Sequence, residues 1–347
     1  MNEERQPTIK EIAKQLNVSV STVSRALHNH PSIGLRTRTR VQQLARDLNY
    51  EPNQSAIFFK KQKTFAIGVI LPNLKEEFFS KAISGIEEIA TQNKYSVLIG
   101  QSQDDPEKEK QIITAMKNNR VDGLIVSLGK HTKTYDHFTA LEKYNIPVVF
   151  FDRVPHLPDF NKVSFNMTSG TREAIEFLIA QGHRRIGVIN GPDEMNSSNE
   201  RTETYKQLLI KKRLKIDLSL IVSTDLTPES TYEAMKTLLS RKPRPTAVIA
   251  INDYVALDAM QYARRVKLKI NKDICFVSYV NLWISGYLET PPLASVEQYP
   301  FEQGSKAASL LMEAMHRSPR KSPSPAPETF QNIVINGQLV IHKKRAK

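Results

Sequence analysis

Residues 8–31 read TIKEIAKQLNVSVSTVSRALHNHP, and this stretch decides how the N-terminal part of the chain folds. Its first half repeats apolar residues at helical spacing, and it begins with Thr8 and Glu11, a pair that fits a capping box. Its second half, VSVSTVSRAL, is crowded with Ser, Thr and Val, which are indifferent helix formers. A helix made of such residues needs a reason other than helix propensity.

The second half is consistent with a helix that packs through one face and meets DNA through the other. Val23 and Leu27 are four residues apart and can pack inward against the first helix. Hydroxyl side chains allow close approach to a groove, and an outward arginine can bind guanine O6 and N7. Ser19 can cap this helix and leave its N-terminus facing a phosphate. The outward face carries Val20, Ser21, Thr22 and Arg25.

The charge distribution favours a polyanionic partner for the N-terminal segment. The chain has 347 residues and a formal net charge of +13, and residues 1–63 hold eleven Lys or Arg against five Asp or Glu. A basic segment of this kind is typical of nucleic-acid binding. A generally basic surface would give similar counts, so charge alone leaves both explanations open.

Several classes of protein have no support in the sequence. Cys275, the single cysteine, lies in an apolar run, so disulfide frameworks and cysteine-based metal sites are not expected. There is no apolar leader and no run of 18 apolar residues, and we therefore expect a cytoplasmic protein without a membrane span. Nucleotide-binding glycine motifs, a serine-hydrolase elbow and metal-ligand histidine spacings are missing, and we expect no enzyme, cofactor or metal.

From residue 64 onward, apolar strand-like runs alternate with amphipathic helical segments, which predicts parallel sheets covered on both faces. The predicted strands are 65–71, 95–100, 121–128, 146–151, 185–190, 246–251, 273–280 and 331–336. The predicted helices are 78–92, 106–118, one before 146, 169–181, 199–211, 229–240, 253–265 and 301–316. The rhythm occurs twice, which indicates two doubly wound subdomains. Ligands of such sheets bind at the carboxyl ends of the strands, where Asn73, Asp152 and Asn252 stand.

The sequence resembles the LacI/GalR family of bacterial transcription regulators. TIKEIAKQLNVSVSTVSRALHNHP followed by TRTRVQQLARDLNYEPN is similar to the DNA-binding head of that family. The pieces AIGVILPN, RVDGLIVSL, IPVVFFDRV, GHRRIGVINGP, AVIAINDYVAL and PPLASVEQ follow in family order. The resemblance implies a homodimer that binds a pseudo-palindromic operator, with a small-molecule effector, a sugar or sugar derivative, controlling it. Rival hypotheses are a solute-binding protein, an α/β enzyme, and a regulator with a degenerate pocket and no effector.

The family architecture implies three parts. They are a helix-turn-helix domain over residues 1–50, a hinge helix or linker over 51–63, and a periplasmic-binding-protein-like core over 64–347. Within this α/β core, we assign about 64–163 and 295–325 to an N-subdomain, and about 164–292 and 328–341 to a C-subdomain. The residues expected to contact DNA are Thr8, Ser19, Val20, Ser21, Thr22, Arg25, Asn29, His30, Asn53, Ala56, Phe59 and Lys60.

The hinge departs from the family pattern. The usual P-N-x-x-A-R-x-L is PNQSAIFF here, so the wedge position is Phe59 and the usual arginine is Ile57. A phenylalanine can still insert into a minor groove, and Lys60 or Lys61 can replace the lost positive charge. The alternative is that Phe58 and Phe59 pack on the core.

The effector-binding residues of the family are only partly matched in this sequence. The matching residues are Asn73, Phe78, Phe79, Asp152, Phe165, Arg201, Asn252, Val280 and Gln298. Val280 stands where the family often has a hydroxyl-binding aspartate. Asn281 could substitute for it, or the pocket could take another ligand, or none. Trp283 is close enough in sequence to stack on a sugar, although surface packing is the alternative we prefer.

Overall fold

A computed structural model describes residues 7–51, 63–193, 195–316 and 330–342. The chain divides into two compact units, Met1–Thr64 and Phe65–Lys347. In its described residues the first unit contains three helices, which we call the head, and the second unit is an α/β core with two sheets.

The head consists of helices α1 (Ile9–Leu16), α2 (Val20–Leu27) and α3 (Leu35–Asp47). The capping box predicted at Thr8 is present, and Asn17, with a φ of 53°, ends α1 in the left-handed conformation. Val23 is completely buried and Leu27 is partly buried in the small core that the three helices share, which confirms their inward orientation.

The core contains both predicted parallel sheets. Its strands are β1 (Ala66–Leu71), β2 (Ser96–Gln101), β3 (Gly123–Val126), β4 (Val148–Phe151), β5 (Asn161–Phe165), β6 (Ile186–Asn190), β7 (Ile221–Ser223), β8 (Ala247–Ala250), β9 (Cys275–Tyr279), β10 (Ala294–Glu297), β11 (Asn332–Ile335) and β12 (Gln338–Ile341). One sheet has the order β11-β5-β4-β3-β1-β2 and the other β12-β10-β9-β8-β6-β7. Among the strands of the described residues, all neighbouring pairs are parallel except β10 with β12.

Helices cover the sheets in the predicted alternation. They are α4 (Glu77–Gln92), α5 (Pro106–Asn118), α6 (Asp136–Thr139), α7 (Met167–Ala180), α8 (Asn196–Lys211), α9 (Pro228–Ser240), α10 (Asp253–Arg265) and α11 (Pro300–His316). The helix expected before β4 is short, because α6 gives way at once to a 3₁₀ turn, Ala140–Tyr144.

Two parts of the subdomain assignment need correction. Residues 295–297 belong to β10, which pairs with β9 in the second sheet and not with the first. Residues 332–335 form β11, which pairs with β5 in the first sheet, and only the following β12 joins the second. The chain therefore crosses between the two sheets after β5, β10 and β11. We call the β11-β5-β4-β3-β1-β2 sheet with its covering helices the first half of the core, and the β12-β10-β9-β8-β6-β7 sheet with its helices the second half. The sequence pattern of a short strand does not show which of the two sheets it joins. The crossings are therefore set by contacts between strands that are distant in sequence.

Close packing of α4 and α11 depends on glycine. A Cβ on Gly304 would lie 2.0 Å from the carbonyl oxygen of Ala82, and one on Gly85 would lie 2.1 Å from that of Phe301. Side chains cannot be accommodated at such distances, so both glycines let the two backbones touch. This contact joins α11, which follows a crossing, firmly to the first half.

Candidate DNA-binding surface and ligand cavity

Helix α2 presents the side chains that the sequence assigns to DNA. Val20 is 41% exposed, and Ser21 and Arg25 are also exposed, whereas Val23 and Ala26 on the opposite side are completely buried. A short helix with one buried apolar face and one exposed polar face can enter a groove without disturbing its own core.

The start of α2 is held by a network of hydroxyl groups. The oxygen of Ser19 accepts a hydrogen bond from the Thr22 backbone N–H at 3.0 Å and lies 2.8 Å from the hydroxyls of both Ser21 and Thr22. Ser19 is thus the N-cap that the sequence predicts. The arrangement fixes Ser21 and Thr22 at the exposed, positive end of the helix dipole.

The remaining head residues are placed around this helix. Thr8 is partly buried, and its side chain is used in the cap of α1. Asn29 and His30 are exposed just beyond α2, where Asn29 accepts a hydrogen bond from Gln42 at 2.9 Å and Nδ1 of His30 accepts one from the Ser32 backbone at 3.2 Å. The hinge predictions lie outside the described residues: Asn53, Ala56, Phe59 and Lys60, with the alternative packing of Phe58.

The core contains a cavity of about 470 Å³ that receives side chains from both halves. It lies at the carboxyl ends of the strands, the usual ligand position in open α/β sheets. Eight of the nine residues that the sequence assigns to an effector line it: Phe78, Phe79, Asp152, Phe165, Arg201, Asn252, Val280 and Gln298. The topology therefore brings together residues separated by up to 220 positions in the chain.

The first half contributes aromatic rings and a carboxyl group. Phe78 and Phe79 are buried at the start of α4, with ring centroids 5.4 Å apart in an edge-to-face arrangement. Asp152 follows β4 with a φ of 59°, a strained backbone conformation that aspartate tolerates better than most residues. Burial raises the pKa of Asp152 to about 6, although Arg153 and a 3.1 Å hydrogen bond from Ser127 oppose the shift.

The second half contributes a buried cation. Arg201 on α8 is only 1% exposed. Its Nη1 donates to Oδ1 of Asn190 at 2.9 Å, its Nη2 lies 3.3 Å from the sulfur of Met167, and its Cζ is 4.6 Å from the ring centroid of Tyr279. These neighbours hold the guanidinium in one orientation at the edge of the cavity.

Most other residues that line the cavity from the second half are apolar, or have polar atoms that already make hydrogen bonds within the protein. Oδ1 of Asn252 accepts the Val255 backbone N–H at 2.8 Å and so caps α10. Val280 has a φ of 92°, which is a true outlier for a β-branched residue and marks this turn as held in place by its surroundings.

Phe165 and Gln298 lie at two of the crossings between the halves. Phe165 ends β5, and its ring lies close to Gly170 and Gly337, where a Cβ would come within 2.9 Å of it. Gln298 follows β10 and is buried. Both residues therefore lie where the chain passes from one sheet to the other.

One prediction about the pocket is wrong, and the geometry decides between the alternatives at two further residues. Asn73 does not line the cavity, since its amide group caps a local turn through Glu76 and the Lys75 backbone. Asn281 cannot replace an aspartate there, because its side chain contacts Glu297 at 2.9 Å and His342 at 3.2 Å. Trp283 is 60% exposed, packs edge-to-face on Tyr287 and lies outside the lining, as the surface alternative predicts.

Sequence reasoning missed several groups at the cavity. They are Glu76, Lys130, Lys133, Tyr135, His156, Met167, Met195 and Glu200. Most stand on loops or first helical turns directly after strands, so the position relative to a strand end was the available signal. Arg153, which directly follows Asp152 at the same strand end, also lines the cavity. Arg153 bonds Asp104 at 2.8 Å and lies 5.9 Å from the ring centroid of Phe79.

The described residues contain neither a candidate membrane span nor a candidate metal cluster. None of the helices in the described part of the chain is long and apolar enough to cross a membrane. Within the same ranges, no group of three or more His, Cys, Asp or Glu side chains is arranged to hold a metal ion.

A helix-turn-helix head joined to a two-sheet core with a ligand-sized cavity defines a class, the DNA-binding regulators with a receptor core. Residues 8–53 match the profile of bacterial regulatory proteins of the lacI family. Residues 64–333 match that of the periplasmic binding proteins and sugar binding domain of the LacI family. The chain belongs to the LacI family.

Individual relatives agree with this assignment over nearly the whole chain. The repressor PurR of Klebsiella pneumoniae (strain 342) is 32% identical and covers 96% of this chain and 95% of its own. The repressor CytR of Escherichia coli (strain K12) is also 32% identical, covering 90% and 91%. The lac repressor dimer bound to operator and the anti-inducer ONPF shares the fold with a TM-score of 0.82, at 24% identity, covering 98% and 99%.

Proposed function

We propose that this protein is a homodimeric transcriptional repressor whose affinity for operator DNA is set by a small molecule bound in the core cavity. The observation that carries the proposal is the exposed face of α2, where Val20, Ser21 and Arg25 stand opposite a fully buried Val23. Such a face can read base edges in a major groove while phosphate contacts position the head. The names of the PurR and CytR relatives, both repressors, support the direction of control.

The effector part of the proposal is supported by the cavity. Its lining combines aromatic rings with polar groups from both halves, which suits a sugar or sugar derivative. A ligand that touches both halves favours one angle between them, and this preference is what can change the spacing of two heads in a dimer. The dimer itself is supported by Leu98 and Ile99, which are 37% and 41% exposed on the edge strand β2.

The DNA part is tested by selecting binding sites from a random duplex pool with the full chain. We expect pseudo-palindromic sites, whose affinity falls steeply as salt is raised. Arg25→Ala should lower affinity for the selected site about 10- to 100-fold and reduce its preference over a scrambled site. Arg46→Ala, on the exposed side of α3, is the matched control and should retain that preference. Equal binding of selected and scrambled DNA by the unaltered chain would refute sequence-specific repression.

The effector part is tested by a thermal-shift screen of sugars and sugar derivatives. A true effector raises the melting temperature because it binds the folded core, and it should also change operator affinity. A panel without any hit, together with normal operator binding, would instead favour a regulator with a degenerate pocket. Light scattering of the purified chain gives its mass and checks the dimer.

A further inference from the structure

Arg201 is a buried charge whose hydrogen bonds and ring contact, within the described part of the chain, are all with uncharged groups. An amide oxygen, a thioether sulfur and an aromatic face surround the guanidinium, as described above. Among the described residues, no carboxylate lies within ion-pair distance of it, and its Nε–H is buried without an acceptor. A buried cation without a counter-charge is costly, and such a group normally has one in its working state.

The same helix presents a second anion-binding feature to the same cavity. Helix α8 has 16 residues, and its N-cap is Met195, whose side chain makes no capping hydrogen bond. Met195, Asn196 and Ser197 all line the cavity, so the first turn of α8 faces it. The first N–H groups of a helix carry the positive end of its dipole, and most lack intrahelical acceptors. Here the Ser198 N–H is already bonded to the Met195 carbonyl at 2.9 Å, so among the described residues the N–H groups of Asn196 and Ser197 are the ones open to a ligand. Together they form a ready site for an anion.

The acidic groups near this turn are poor substitutes for that anion. Glu200 lines the cavity one residue before Arg201, and burial raises its pKa, although His156 and Arg201 act in the opposite direction. Burial likewise raises the pKa of Asp152, which stands in the other half. Val280, which follows the Tyr279 ring under the guanidinium, adds only an apolar side chain to this wall.

We infer that the ligand of the cavity is an anion, and that its carboxylate or phosphate group binds between Arg201 and the first turn of α8. This inference rests on the proposed function, since it takes the cavity to be the effector site. A carboxylate or phosphate supplies acceptors both for the orphan Nε–H and for the open backbone N–H groups. A sugar acid and a sugar phosphate both satisfy this chemistry, and the experiment separates them.

The experiment titrates the full chain with matched neutral and anionic probes in phosphate-free buffer. The probes are D-glucose, D-gluconate and D-glucose 6-phosphate, then D-ribose and D-ribose 5-phosphate, and inorganic phosphate alone. Calorimetry should show at least one anion binding about ten-fold or more tightly than its neutral parent. The arm that binds, acid or phosphate, identifies the source of the anion.

Three variants assign the binding to this site. Arg201→Gln should weaken the anion about 30-fold or more and remove its advantage over the neutral parent. Arg184→Gln, at an exposed arginine that donates to the Ile179 carbonyl, should bind as the unaltered chain does and excludes a general charge effect. Met195→Asp places a carboxylate at the N-cap and should abolish anion binding without lowering the melting temperature of the ligand-free chain.

The inference is overturned if the neutral parent binds as tightly as its anion, if anion binding survives Arg201→Gln, or if no anion binds at about 10 mM. If a neutral sugar binds and changes operator affinity, the proposed function stands while the anion assignment fails. The proposed function fails separately, through the DNA selection, if the chain shows no sequence preference.

Discussion

Asp253 is a buried carboxyl group that supports one wall of the cavity from behind. It is completely buried and accepts hydrogen bonds from the Leu282 backbone N–H at 2.7 Å, from the Ser295 hydroxyl at 2.9 Å, and from the Ser278 hydroxyl. Burial raises its pKa, against the lowering effect of these hydrogen bonds. The turn that it holds includes Val280, whose φ of 92° requires external support.

Deleting the carboxyl group of Asp253 should have a very different effect on stability from replacing it with an amide of the same shape. Asp253→Ala leaves the Leu282 N–H buried without an acceptor, which costs about 1–3 kcal/mol, and adds a small void, for a total of about 2–4 kcal/mol. Asp253→Asn can turn its oxygen to Leu282 and its NH₂ to the two serine hydroxyls, which are able to accept. It also removes a buried charge, so we expect a change below about 1 kcal/mol.

Urea unfolding of the full chain measures the difference. Trp283, the only tryptophan, directly follows Leu282, and its fluorescence therefore reports on the turn itself. The Ala variant should unfold at clearly lower urea than the Asn variant and the unaltered chain, with weaker ligand binding. If Ala and Asn differ by less than about 0.5 kcal/mol, one unsatisfied N–H does not control this turn, and the reasoning fails.

Three other outcomes are expected. Ser19→Ala removes the acceptor of the Thr22 N–H, so the stability of the head, measured by its thermal unfolding, should fall by about 1 kcal/mol. Operator affinity should fall with it. An unchanged unfolding temperature of the head would contradict a stabilising role of this cap. Burial raises the pKa of Asp152 in the folded core to about 6, so ionising this carboxyl group as the pH rises should destabilise the folded state. Relative to Asp152→Asn, the free energy of unfolding should fall by on the order of 3 kcal/mol between pH 4 and 7, as measured by denaturant titrations at several pH values. Parallel pH profiles of the two chains would contradict this. Gly304→Ala should destabilise the core by about 2–3 kcal/mol, because its Cβ would lie 2.0 Å from a carbonyl oxygen, whereas Gly286→Ala has open space and should be nearly neutral; equal urea midpoints would count against close packing.

The head could be predicted almost completely from its sequence. The reason is that its periodicity, caps and exposed polar face are local features: Thr8 and Glu11, then Ser19, then Val23 against Arg25 lie within about 20 residues of one another. Helical spacing determines which side chains share a face, so orientation follows directly from the order of residues.

The core was predictable in class but not in its crossings. Alternating strands and helices specify two parallel sheets, and most strand ends carry cavity residues as expected. The strands β7 and β12 span only 3 and 4 residues, and β5 mixes polar with apolar positions, so none gives a clear signal. Which sheet β10 and β11 join depends on pairing at a distance.

Side-chain partners at the cavity were the least predictable part. The sequence predicts that Arg201, Asn252 and Asn281 lie near strand ends or at the start of a helix. It does not predict which groups each side chain contacts. Asn281 turns away to Glu297, and Oδ1 of Asn252 is used in a helix cap. The absence of an ion pair at Arg201 among the described residues also depends on three-dimensional packing, since several carboxylates are close to it in sequence.

The hydrogen bonds within the lining leave different kinds of polar group on the two sides of the cavity. In the second half, the oxygens of Asn190 and Asn252 are engaged by Arg201 and the α10 cap, so the donors of Arg201 and the first turn of α8 face a ligand beside one carboxyl group, Glu200, whose pKa is raised by burial. The first half offers the carboxyl group of Asp152, which accepts hydrogen bonds from hydroxyls when ionised. A ligand with an anionic end and a hydroxyl-rich end would satisfy both sides only in one orientation. Because it would then bond both halves at once, it would bind their closed arrangement better than an open one, which is the differential affinity that control of DNA binding requires.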